Sequence, residues 1–74
     1  MAQMILTVPN ISCQHCEAAI TRALTSLEGV RHVAVDIPRK EVRVEYDEAR
    51  VSLARLQEVL AEEEYPVSGA RPAG

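Results

Sequence analysis

The sequence predicts an α+β fold, a four-stranded antiparallel sheet with two helices on one face. Hydrophobicity alternates with a period of two in three segments and follows a helical period in two others. These segments interleave, and a short β-prone stretch closes the chain. The order is strand, helix, strand, strand, helix, strand. Both apolar helix stripes can be buried only if both helices lie on the same face of the sheet, which is the ferredoxin-like βαββαβ arrangement.

The elements follow in chain order. Met4, Leu6 and Val8 alternate along a first strand that stops at Pro9-Asn10. From Cys13 the period lengthens: Cys16, Ala19, Ile20, Ala23, Leu24 and Leu27 form one helical stripe. Ser12 stands at the N-cap position, and Gly29 is expected to act as a C-terminal cap. Val33, Val35 and Ile37 then oppose His32, Ala34 and Asp36, and after Pro38-Arg39-Lys40 the residues Val42, Val44 and Tyr46 oppose Glu41, Arg43 and Glu45. That is a hairpin pattern. Ser52 opens a second helix with a stripe of Leu53, Leu56, Val59 and Leu60. The acidic run Glu62-Glu63-Glu64 reads as its solvated end. Tyr65 to Ser68 is the expected last strand, giving a domain over residues 1–70 and a loose tail over 71–74.

The chain has 74 residues, 47% hydrophobic and 26% charged, which fits one small domain with a thin aliphatic core. Its net charge is -3 with the signs interspersed, and its only aromatics are two tyrosines. A nucleic-acid binder would show a basic stripe and stacking rings. No apolar run approaches the ~20 residues of a membrane span, so membrane insertion is not expected. The run Met4–Val8 lacks the basic flank and the length of a signal sequence. A complete chain of this kind is expected in the cytoplasm, where paired cysteines stay reduced.

Reactive residues converge only at Ile11-Ser12-Cys13-Gln14-His15-Cys16. Cysteines three apart across a loop-to-helix junction can turn both sulfurs to one point. The unpaired N–H groups of the first helical turn favour thiolate there. Two thiolates without a hard ligand suit a soft ion, with Cu(I) expected and Hg(II), Zn(II) or Cd(II) as alternatives. Three other readings stand beside this one. A structural zinc site would need four ligands, with only His15 and His32 left to supply two. A dithiol redox site also begins a helix with Cys-x-x-Cys, but in a longer chain. The cysteines could also serve no ligand at all. His15 could tune the thiolates, join a metal-bridged homodimer or face water. Tyr65 is either core filler or a neighbour of the site.

The segment Asn10–Cys16, together with Leu27-Glu28-Gly29-Val30 and Glu64-Tyr65, resembles the heavy-metal-associated domain family, in particular its bacterial CopZ-type copper chaperones. The likeness runs from about Met4 to Ser68. It implies a non-enzymatic role, with Cys13 and Cys16 as metal ligands. It also implies handover by thiolate exchange to a metal-binding domain of a copper-transporting P-type ATPase. The family's loop methionine, a core anchor, is Ile11 here. Ser12 matches the family's Thr/Ser, Gln14-His15 is similar to the loop of bacterial chaperones, and the ring of Tyr65 is expected near the loop. The family's glycines are replaced by Asn10 and Glu64. Asn tolerates a left-handed backbone and Glu does so less well.

Overall fold

Alternation along the strands builds a sheet with one apolar face. The computed structural model describes residues 1–12 and 14–73. Among them the elements run β1 (Ala2–Thr7), α1 (Gln14–Thr25), β2 (Val30–Asp36), β3 (Glu41–Tyr46), α2 (Leu53–Glu62) and β4 (Gly69–Pro72). The strands form one four-stranded sheet in the order β2-β3-β1-β4, every neighbouring pair antiparallel. This is the expected ferredoxin-like topology.

Leu6 of β1 faces Val42 of β3 across the ladder, and Met4 faces Val44. Leu6, Val42 and Val44 are fully buried beneath Ile20 and Leu24 of α1 and Leu56 and Leu60 of α2. Both helices therefore cover the same face. Residues of opposite parity, such as Gln3, Arg43 and Asp36, lie on the uncovered face and remain exposed. Tyr46 closes one end of the core, where burial, reinforced by the negative charge of Glu48, raises its phenol pKa. The second helix starts as expected, with the Ser52 hydroxyl accepting from the Arg55 N–H at 3.1 Å. No helix among the described residues is long and apolar enough to cross a membrane.

Strand register gives the molecule two distinct ends. At one end Thr7 pairs with Glu41 and Gly69, and Asp36 pairs with Glu41. At the other, Tyr46 pairs with Ala2 and Val30. Because α1 follows β1 and α2 returns from the end of β3, the connections β1–α1, β2–β3 and α2–β4 share the first end.

Two expectations need correction. The last strand is Gly69–Pro72, four residues beyond Tyr65–Ser68 and reaching into the segment expected to be a loose tail. Tyr65 is still part of the helix cap, its N–H donating to the Leu60 carbonyl at 2.8 Å, while Pro66 has no N–H to give. Val67 turns into the core, so the ladder opens only at Ser68, whose N–H reaches the Thr7 carbonyl. Gly and Pro are tolerated in β4 because it is an edge strand. Gly29, in turn, is not the cap next to α1. It lies in the Leu27–Val30 turn, closed by a 3.3 Å bond from the Val30 N–H to the Leu27 carbonyl, with φ +101°.

Glu64 does adopt the left-handed backbone of a helix-terminating residue, at φ +69°. The bonds from Glu64 N–H to the Ala61 carbonyl and from Tyr65 N–H to the Leu60 carbonyl form a Schellman motif around it. Two opposite changes are therefore expected. A Cβ at Gly29 would stand 2.9 Å from the Arg50 Cβ in a left-handed backbone, so Gly29→Ala should cost at least about 1–2 kcal/mol. Glu64→Gly should instead gain about 0.5–1 kcal/mol by removing the penalty for a side chain at that φ. Urea denaturation of both variants checks this, and equal effects of the same sign would refute it.

Candidate metal centre

The loop from β1 to α1 is held from beneath by Ile11. Its side chain is fully buried with Val8 in the core, and its N–H donates to the Val8 carbonyl at 3.2 Å. The very next residue, Ser12, is exposed. The chain thus passes from core to surface within one residue, immediately before the first cysteine. Ile11 fills the anchoring place expected of it, as packing, with no sulfur atom to offer.

Cys16 lies in the first turn of α1, which begins at Gln14. Its side chain faces inward and is 8% exposed. The Ser12 hydroxyl stands 3.7 Å from the Cys16 sulfur. With sulfur as thiolate the hydroxyl is the donor, and that bond favours the charged form. The helix N-terminus acts in the same sense. Cys13, the other predicted ligand, lies outside the described residues.

The remaining candidates divide. His15 is exposed near the start of α1. Tyr65 is half-buried against the core at the same end of the molecule. A direct tie joins its segment to the loop: the Asn10 side-chain amide donates to the Glu64 carbonyl at 3.2 Å. His32 is placed elsewhere. It is exposed on β2 opposite Glu45, towards the far end of the ladder. A closed four-ligand site would need three residues besides Cys13. Among the described residues no three His, Cys, Asp or Glu stand close enough to hold a metal.

Sequence reasoning missed the contribution of the β2–β3 turn. Lys40 sends its ammonium to the Ile11 carbonyl at 2.6 Å, while its own carbonyl accepts from the Val8 N–H at 2.8 Å. The expected turn Pro38-Arg39-Lys40 was the only signal, and it gave no indication of what the lysine would reach.

Comparison with known proteins agrees with this geometry. The "Copper chaperone CopZ" of Staphylococcus haemolyticus is 39% identical over 67 residues, covering 90% of this chain and 98% of that protein. A solved "CopZ metallochaperone" superposes with a TM-score of 0.86 at 32% identity, covering 89% of this chain and 98% of the other. A heavy metal binding protein from Thermotoga maritima superposes with a TM-score of 0.82 at 34% identity, covering 96% and 98%. The family model for the heavy-metal-associated domain matches residues 5–66, a span that takes in the loop, both helices and the hairpin. With the metal loop, the ferredoxin-like sheet and these matches in agreement, the chain belongs to the heavy-metal-associated domain family.

Proposed function

We propose that the chain is a cytoplasmic Cu(I) chaperone or buffer and not an enzyme. In this reading Cys13 and Cys16 hold one Cu(I) as a bis-thiolate and pass it to a metal-binding domain of a copper-transporting P-type ATPase. The observation that carries the reading is Cys16 in the first turn of α1 with the Ser12 hydroxyl at its sulfur, on a loop anchored by Ile11. The hydroxyl and the helix N-terminus both favour thiolate at that sulfur. The copper-chaperone names of the relatives support the choice of ion.

Transfer then needs no redox step. A partner thiolate adds to the two-coordinate ion and forms a three-coordinate intermediate. One of the original sulfurs leaves as thiolate, and a second exchange completes the move. Electrons remain with sulfur throughout, and copper stays Cu(I). The exposed first turn, with Gln14 and His15 at its rim, leaves room for such an approach.

Reduced protein is expected to bind one Cu(I), and Cys13→Ser or Cys16→Ser should each weaken binding by orders of magnitude. Binding should also weaken with acid, because protons compete for the thiolates. Anaerobic titration against a Cu(I) chelator, with Zn(II), Cd(II) and Hg(II) in parallel, reads both effects. Undiminished affinity in the double variant would defeat the assignment, and tighter binding of another ion would replace copper in it.

Ile11 separates packing from ligation. Ile11→Met should leave Cu(I) affinity within about tenfold, since both residues are apolar and similar in volume. Ile11→Asp should lower stability by several kcal/mol, roughly the cost of placing a charge in a fully buried position. A large affinity gain in Ile11→Met would show the position to be a ligand site.

Handover should depend on surface charge. Glu62, Glu63 and Glu64 are exposed and joined to the loop through Asn10. A docking contact of this transient kind buries less than about 1,200 Å² and takes its rate from charge complementarity. Transfer to a basic partner domain should therefore slow with salt and slow further in Glu62→Lys/Glu63→Lys, with intrinsic Cu(I) affinity unchanged. Stopped-flow transfer measurements decide, and a rate indifferent to both would leave the acidic run as a solvated helix end.

A further inference from the structure

Lys40 stands out among the residues at the metal end because three separate observations converge on it. Its backbone is left-handed at φ +56°, a conformation that costs a side-chain-bearing residue about 1–2 kcal/mol. It is also bonded to both ends of the segment Val8–Ile11: its carbonyl accepts from the Val8 N–H at 2.8 Å, and its ammonium donates to the Ile11 carbonyl at 2.6 Å. Finally, its charge is not cancelled. Among the described residues it forms no ion pair with a carboxylate, whereas its neighbour Arg39 pairs with Asp36 and Arg71 with Glu41.

A turn that needed only a left-handed residue would be served better by glycine. The lysine side chain must therefore do something that offsets the strain, and what it touches is the metal loop. Ile11 precedes Cys13 by two positions, a span of at most about 7 Å of extended chain. A Cu(I) ion between two thiolates carries a net charge of one minus. The nearby Glu62–Glu64 run adds more negative charge at the same end of the molecule.

Resting on the bis-thiolate reading above, we infer that Lys40 is the positioning residue of the metal loop. Its ammonium pins the Ile11 carbonyl and supplies the positive charge that stabilises the loaded, anionic site. The acidic helix end sets the docking charge, and Lys40 keeps that charge from loosening the ion.

Three variants test this. Lys40→Gly removes the ammonium and the backbone strain together. Lys40→Met removes the ammonium and keeps the strain. Lys40→Arg keeps a cationic donor. In the apo protein, the Ile11 carbonyl carbon should shift upfield in the Gly and Met variants as its hydrogen bond is lost, and stay near the wild-type value in the Arg variant. In the copper-loaded protein, release to a Cu(I) chelator should be about fivefold faster in Lys40→Gly and Lys40→Met, the scale of one partly exposed charge interaction. Lys40→Arg should release close to the wild-type rate. The thermal midpoint of apo Lys40→Gly should equal or exceed wild type, so that stability and metal retention move apart. If wild type binds Cu(I) and the Gly and Met variants release it at the wild-type rate, the assignment to Lys40 is overturned while the metal reading stands. Release rates that simply follow thermal stability overturn it as well. A wild type that binds no Cu(I) overturns the metal reading, and this inference with it.

Discussion

Burial of Ile11 is the main constraint on the metal end, because it fixes the loop between β1 and α1 to the core, with Val8 before it and Cys16 after it buried as well. Fully burying an isoleucine is worth about 1.5–3 kcal/mol. A domain of this size is stable by only some ~4–11 kcal/mol in all, on per-residue averages. The loop therefore cannot lift its anchor to meet a partner without giving up a large share of the fold's stability. If the loop exchanges an ion as proposed, movement is least costly beyond Ile11, at the exposed Ser12, Gln14 and His15.

Left-handed backbone is distributed unevenly between the two ends of the molecule. At the far end, where Gly29 turns the chain into β2, glycine takes the positive φ and its carbonyl receives the Asp47 N–H at 2.8 Å. At the metal end the left-handed positions among the described residues are Lys40 and Glu64, both with long charged side chains. Each is bonded to the metal loop, Lys40 through its ammonium and Glu64 through the carbonyl that accepts from Asn10. Strain in a folded protein gathers where function holds it in place. Here it flanks the loop on two sides, from the hairpin and from the end of α2.

Most of the fold could be read from periodicity, because three strands and both helices each bury one face and so mark their sequence. The fourth strand could not. Gly69-Ala70-Arg71-Pro72 buries nothing and pairs with β1 through its backbone alone, so no side-chain pattern records it. Tyr65–Ser68 looked like the strand because Tyr65 and Val67 are apolar and alternate, but they alternate while packing a helix cap against the core. At the site, the burial of Ile11 and the place of Cys16 in the first turn of α1 could be read because each belongs to a local pattern, an apolar anchor and a helix start; Ser12, expected as the N-cap, instead lies two residues before Gln14 with its hydroxyl at the Cys16 sulfur. The ties from Asn10 and Lys40 join residues separated in sequence by |i−j| of 54 and 29. Contacts of that range depend on which loops the topology gathers at one end, and a lysine in a turn gives no sign of it.

A carrier must hold its ion against loss to solvent and still release it to a like site, and the proposed bis-thiolate site would separate these demands physically. In that reading, retention against solvent comes from soft thiolates, which few competing groups can match, and from fixed donors around them. The Ser12 hydroxyl, the first turn of α1 and the ammonium at the Ile11 carbonyl are in place in the metal-free chain and would not have to be assembled on binding. Release, in the same reading, comes from low coordination. An ion enclosed by four protein ligands has no vacant direction for an incoming sulfur, whereas one held by two is open to a third. The described residues gather no second cluster of ligands that would close that direction. Affinity can thus be raised by charge and hydrogen bonding at the base of the loop without closing the face through which exchange proceeds. This is why preorganisation, and not additional ligands, is the route by which such a small domain can bind tightly and still let go.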